Sequence, residues 1–226
     1  MLKRLLVIPQ LLALLTALPL QAWAISGIDP ATGAQFSSPE EAADKSIALL
    51  RNLKPDKDDV RAKQLGFTSA VEAHDAERGA PLRVYIMHLD KLRQRQPEND
   101  PDDLLIDPDR VFYPLLVNGQ VRSSLTVLKS ADGWRTIRRG SSKTARRLAG
   151  FKTSTSNFLI WTPALNLILL GDRTGGKFTV IPIEDKYGLQ AGNAIPASDA
   201  FDKLMKAAKN MDEDQEDEDD ELGGAM

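Results

Sequence analysis

The pair Asn118-Gly119, set between two β-rich runs, constrains this chain more than any other feature of it. Both central residues of a type I′ turn sit at positive φ, which Asn and Gly tolerate, so the pair specifies a two-residue hairpin and the register of its strands. In the outgoing run Val121, Ser123, Leu125 and Val127 alternate with Arg122, Ser124, Thr126 and Leu128, the pattern of a strand with one covered face and one mostly polar face. Asp132-Gly133 turns the chain again into residues 134–137, so 111–137 reads as a three-stranded antiparallel meander. Pro114 cannot donate a ladder hydrogen bond, which places its strand at a sheet edge or the proline at a bulge.

Helices flank this scaffold. Ser38, Pro39 and Glu41 form an N-cap, a proline at the first helical position and a capping-box carboxylate, and Ala43, Ile47 and Leu50 follow at helical spacing until the charged run 54–59. Ser69 with Glu72 repeats the capping box and opens a second helix that ends at Gly79. Residues 81–89 read as a strand with Leu82, Val84, Ile86 and His88 on one face. The acidic stretch 98–109 lacks the spacing and the glycine of a calcium-binding EF-hand loop and reads as a solvated connection.

After the meander, Gly140-Ser141-Ser142 opens a short helix that turns Ala145, Leu148 and Ala149 inward and closes at Gly150. Residues 158–161, 164–170 and 177–183 are β-rich without clean alternation, as in strands covered on both faces, with 171–176 as a loop and Pro163 at a bulge or corner. Ser198 caps a last helix whose Phe201, Leu204, Met205 and Ala208 form one apolar stripe. Hairpins and helices outside strict β-α-β alternation specify an α+β domain, an antiparallel meander sheet with helices packed on one face, over residues 37–209.

The two ends of the chain have a different character. Lys3 and Arg4, the apolar run 5–20 and Ala22-Trp23-Ala24 are the three parts of a cleavable secretory signal peptide, 1–24, followed by an irregular leader over 25–36. Pro9, Gln10, Thr16 and Pro19 interrupt the apolar run, so a membrane anchor is the weaker reading, and no other segment is apolar enough to span. The expected location is the periplasm or the extracellular space. With no cysteine, no disulfide, lipobox thiol or thiolate chemistry is open to the chain. At the far end, 210–226 is expected to be a disordered tail, and its stretch 211–222 holds nine acids.

Four stretches taken together, 82–92 (LRVYIMHLDKL), 113–124 (YPLLVNGQVRSS), Gly133-Trp134 and 162–171 (TPALNLILLG), resemble an uncharacterised group of exported bacterial proteins. That group shares a similar run around the Asn-Gly hairpin and a Pro-Ala-Leu-Asn-Leu strand, and the likeness covers 67–201. The resemblance implies export and carries over no activity, cofactor or site residue. The arginine-rich helix and the acidic tail depart from it.

Catalytic signatures are missing. The sequence holds no Gly-x-Ser-x-Gly elbow, Walker A loop, dinucleotide fingerprint or His-Glu-x-x-His pair, and 171–176 lacks the helix start that would make it a phosphate cradle. No catalytic residue, cofactor or metal ligand is assigned. His74, among Glu72, Asp75 and Glu77, reads as solvent-facing. A hydrolase centred on His88 with Ser123 or Asp90, and a carrier of a small apolar ligand under the sheet, are the alternatives to a binding protein.

Charge carries the binding reading. Without the nine tail acids the formal charge moves from −3 to +6, and without Lys3 and Arg4 it is +4, so a mildly basic body carries an acidic string. Arg135, Arg138, Arg139, Lys143, Arg146, Arg147 and Lys152 concentrate the basic side within eighteen residues. Such a cluster favours a protein or other anionic component of the envelope over nucleic acid, for which no binding motif is present. The tail is expected to fold back on this patch as a weak, salt-sensitive competitor.

Overall fold

Asn118 and Gly119 take φ of 52° and 72°, the double positive φ of a type I′ hairpin, and they join the two longest strands of the sheet. The computed structural model describes residues 35–140, 142–151 and 156–222, the side chains of Ser142 and 212–222 excepted. The signal peptide 1–24, most of the leader, Ser141 and Lys152 lie outside the described residues. In chain order the helices are α1 Pro39–Leu50, α2 Asp59–Gln64, α3 Ala70–His74, α4 Leu89–Arg93, α5 Ser142–Leu148 and α6 Ala197–Leu222, with a 3-10 turn at Pro101–Leu104. The strands are β1 Glu77–Arg78, β2 Leu82–Met87, β3 Leu105–Val117, β4 Gln120–Ser130, β5 Gly133–Arg139, β6 Asn157–Thr162, β7 Leu167–Thr174, β8 Lys177–Pro182 and β9 Ile195–Pro196.

All nine strands join one sheet in the order β5-β4-β3-β2-β6-β7-β8-β9, with β1 paired to β3 beside β2. The fold is α+β, and its pairings are antiparallel except β2 with β6, which run parallel from Arg83↔Phe158 to Ile86↔Trp161. A parallel pair needs a long crossover. Here the entire β3–β5 meander and α5 serve as that crossover, so two antiparallel meanders meet along one parallel seam.

Phe112 and Tyr113 are neighbours on β3 and therefore point to opposite faces. Tyr113 is fully buried with Ala43, Ile47, Ala62 and Ala73 of α1, α2 and α3. Phe112 packs instead with Ala145 and Leu148 of α5. At the other end of the sheet, Phe158, Ile160 and Leu169 pack with Leu92 of α4 and with Phe201, Leu204 and Ala208 of α6. The pairs Arg83↔Val111 and Arg83↔Phe158 put this second cluster on the α1 side. Helices α1–α4 and α6 thus cover one side, the helical face, and α5 alone lies on the other, the open face.

Several local expectations change for packing reasons. Pro114 is not at an edge: β3 is paired on both sides, and Pro114 lies at the break between β1 and β2, where its carbonyl accepts from Gly79 N–H at 2.8 Å. Nor is Pro114 itself at a bulge: it pairs regularly with Ser124, and the register shift at Leu115/Leu116 puts the extra residue, Arg122, on β4. The polar side of β4 is not fully solvated, because α5 turns back over part of it and leaves Ser124 and Thr126 buried. Strand β2 stops at Met87 after a register shift at Val84/Ile86, so His88 is exposed ahead of α4 and out of phase with the apolar positions.

The helix opened by Ser69, α3, ends at His74, short of Gly79, because β1 begins at Glu77, and a short helix not read from the sequence, α2, precedes it. The last five residues of the acidic connection 98–109 are strand, since β3 begins at Leu105. Likewise the loop read over 171–176 shrinks to Gly175-Gly176, both at positive φ, and Gly171 is a strand residue where any Cβ would overlap the Phe158 ring. The last helix starts at Ala197, ahead of Ser198, and its backbone continues through the acidic run to Leu222. The side chains of the nine tail acids lie outside the described residues.

Candidate functional site

The basic residues singled out from the sequence divide between the two faces. Thr136 pairs with Val127 and its hydroxyl meets Ser46 of α1 at 2.6 Å, so it faces the helices and Arg135 faces the opposite way. Plain alternation would send Arg138 to the helical face. A bulge between Thr126 and Val127 shifts the register by one, pairing Thr126 with Arg138 and Leu125 with Arg139. Arg138 therefore joins Arg135 on the open face, and Arg139 turns under to Ser46 at 3.5 Å.

Beyond the Gly140 turn, Lys143 and Arg146 are exposed on α5, while Arg147 is tied to Glu184 at 2.5 Å. Of the seven residues, Arg135, Arg138, Lys143 and Arg146 remain on an exposed surface; Lys152 lies outside the described residues.

The fold adds one residue that sequence reading missed. Arg110 pairs across β3 with Leu128, which in turn pairs with Arg135, and on its other side with Val84 of β2. Val84 belongs to the Phe112 cluster, so Arg110 is on the open face, diagonal to Arg138. Its guanidinium carbon sits 5.6 Å from the centroid of the Trp161 ring, within cation–π range. Its Nε is buried without a hydrogen-bond partner. Burial, and next the neighbouring Arg138 charge, lower the Arg110 pKa from its ordinary value. The signal was present as strand parity, since Arg110 is two residues before Phe112; starting the strand at 111 hid it.

The groups of the hydrolase alternative are not gathered. His88 follows Met87, which pairs with Leu105, whereas Ser123 pairs with Leu115, ten residues along the same strand. At ~3.3 Å per residue that separates them by about 30 Å of strand. Ser123 is buried and donates its hydroxyl to the Leu65 carbonyl. Asp90 sits in the first turn of α4 beside His88, with no nucleophile among them.

His74 is only half-exposed: its Nε2–H donates to the Leu53 carbonyl at 2.6 Å, at the side of an open polar cleft lined also by Arg51, Asp75, Glu77 and Asn118. That cleft has neither the closure nor the apolar lining expected of a carrier of apolar ligands. Among the described residues no cluster of His, Asp and Glu is arranged to hold a metal ion, and no helix is long and apolar enough to cross a membrane.

What the open face can do chemically is bind. Arg110 and Arg138 present donors and positive charge beside an indole, with Arg135 and the α5 cations extending the field. Comparison of the chain with protein-family models, with curated proteins and with solved structures gave no match.

Proposed function

We propose that the protein is an exported, non-enzymatic binding protein of the cell envelope or extracellular space that takes an anionic macromolecular partner on its open sheet face. The observation that supports this is the grouping of Arg110, Arg135 and Arg138 on one face without a carboxylate partner among the described residues. Arginine charges in a folded chain are usually balanced where they are sheltered, and sheltered donors left unfilled favour a ligand that fills them. Export rests on the basic, apolar and small-residue parts of 1–24.

The test uses a polyanion as surrogate partner. The full-length chain, applied to immobilised heparin, should be retained at low salt, and the double variant Arg135→Gln/Arg138→Gln should elute at clearly lower salt. Equal elution of the two proteins would sink the reading.

A further inference from the structure

Arg110 poses an electrostatic problem that the described chain does not solve. Its Nε is sheltered from water and unbonded, its charge faces Arg138, and the contact that holds it is the Trp161 ring. A buried donor without a partner costs about 1–3 kcal/mol, and a neighbouring like charge adds to that. A carboxylate placed between the two guanidiniums would satisfy the donor and neutralise the repulsion together.

The sequence supplies carboxylates in quantity: between 212 and 221, nine of ten residues are Asp or Glu. The position of α6 decides which molecule they can serve. Phe201, Leu204 and Ala208 dock this helix on the helical face, against Phe158, Ile160 and Val180. Arg110 lies on the other side of the sheet, and β8, under α6, is four strand steps from β3, about 20 Å at ~4.8 Å per step. The docked part of α6 therefore lies across the sheet from its own molecule's open-face arginines, while a neighbouring copy can present its open face to the acidic segment.

We infer that the acidic segment 212–221 of one copy docks on the Arg110–Arg138 pair of a second copy, a head-to-tail contact between unlike surfaces. The inference rests on the reading of the open face as a binding surface and names its occupant. A contact of this kind does not close on itself as a two-fold dimer does, so it builds short chains or rings whose length depends on concentration and salt. It also makes the acidic segment a competitor of any external polyanion for the same face. The fold-back expected within one molecule becomes an exchange between molecules.

The probe is a fluorescein-labelled peptide of residues 209–222, titrated with the full-length chain at low ionic strength and followed by anisotropy. Sedimentation velocity of the unlabelled chain is run in parallel. Arg110→Gln and Arg138→Gln should each weaken the peptide roughly tenfold, the loss expected for one charge-assisted contact. Arg138 is exposed, so its variant stays informative even if the half-buried Arg110 variant folds poorly. The wild-type chain should sediment as larger species with rising concentration, an effect abolished by Arg138→Gln and by added salt.

Peptide binding unchanged in Arg138→Gln, or a chain that remains monomeric throughout, overturns the inference. So does displacement of the peptide by inorganic phosphate at equal charge concentration, which would mean an indiscriminate anion site. Heparin retention that still depends on Arg135 and Arg138 without any peptide binding would remove this occupant alone. Loss of that dependence would remove the binding face with it.

Discussion

The two faces of the sheet treat arginine differently. On the helical side Arg78 meets Asp44 at 2.8 Å, Arg83 meets Asp107 at 2.8 Å, and Arg122 meets Glu72 at 3.0 Å. Arg95 pairs there with Asp202 and Arg173 with Asp102, and the Arg173 guanidinium also lies 4.3 Å from the Phe158 ring centroid. On the open side Arg147 reaches Glu184, while Arg110, Arg135 and Arg138 have no carboxylate among the described residues. On the helical side each of these cations has a counter-charge, and the fully buried one, Arg95, needs it because water is not there to solvate it. Where cover is thin, pairing is not needed for folding. The open-face arginines are therefore free to serve something other than stability.

That contrast can be broken most forcefully at Arg95. Its side chain has 0% exposure, it pairs with Asp202, and its Nε and Nη2 find no acceptor, so Asp202 is its charge balance. Asp202→Asn should cost roughly 3 kcal/mol, the lower end for a broken buried pair because Asp202 itself is partly exposed. Urea denaturation reads this directly, and Arg95→Met added to Asp202→Asn should recover much of the loss by removing the stranded charge. A cost under about 1 kcal/mol for Asp202→Asn would show that coverage does not enforce pairing.

A smaller effect sharpens the same point at Glu72. Burial alone would raise its carboxyl pKa, but hydrogen bonds from the Thr68 N–H and hydroxyl, together with Arg122, outweigh it and hold the group below the ordinary 4.5. The folded value is depressed, so the stabilisation is complete above the unfolded value and is lost as pH falls through the folded one. Glu72→Gln should flatten the acid side of the stability–pH curve, by less than about 1 kcal/mol because Arg122 is well exposed and screened. Thermal unfolding between the neutral range and pH 3, in wild type and variant, measures it; parallel curves would mean that the pair contributes nothing.

Local chemistry was legible in the sequence, and long-range pairing was not. The Asn118-Gly119 turn, the Ser38 and Ser69 caps and the Phe201–Leu204–Ala208 stripe follow from residues within a few positions of one another, and all three are observed. Even there the capping carboxylates moved one residue: Glu41 accepts from Ser37 and Glu72 from Thr68, not from the cap serines. The parallel β2–β6 seam joins residues more than seventy positions apart, and no local pattern encodes it. His88 was misplaced because period-2 counting ignores a bulge, and the basic cluster does not stay one patch because β5 sends Arg139 to the opposite face from Arg135 and Arg138. Arg110 became a site residue only once β3 was known to begin at Leu105.

The smallest expected change is the most diagnostic for the open face. Arg138 is exposed, and its charge disfavours the protonated form of Arg110. Replacing Arg138 with Gln removes a repulsion and no carboxylate contact, so stability should change by no more than about 0.5 kcal/mol, toward a slightly higher melting temperature. The same substitution at Arg95 would strand Asp202 and take packing from a closed interior. If Arg138→Gln instead costs more than about 1 kcal/mol, the residue holds the fold together through contacts of its own, and the distinction between the two faces fails at the residue on which the binding reading depends most.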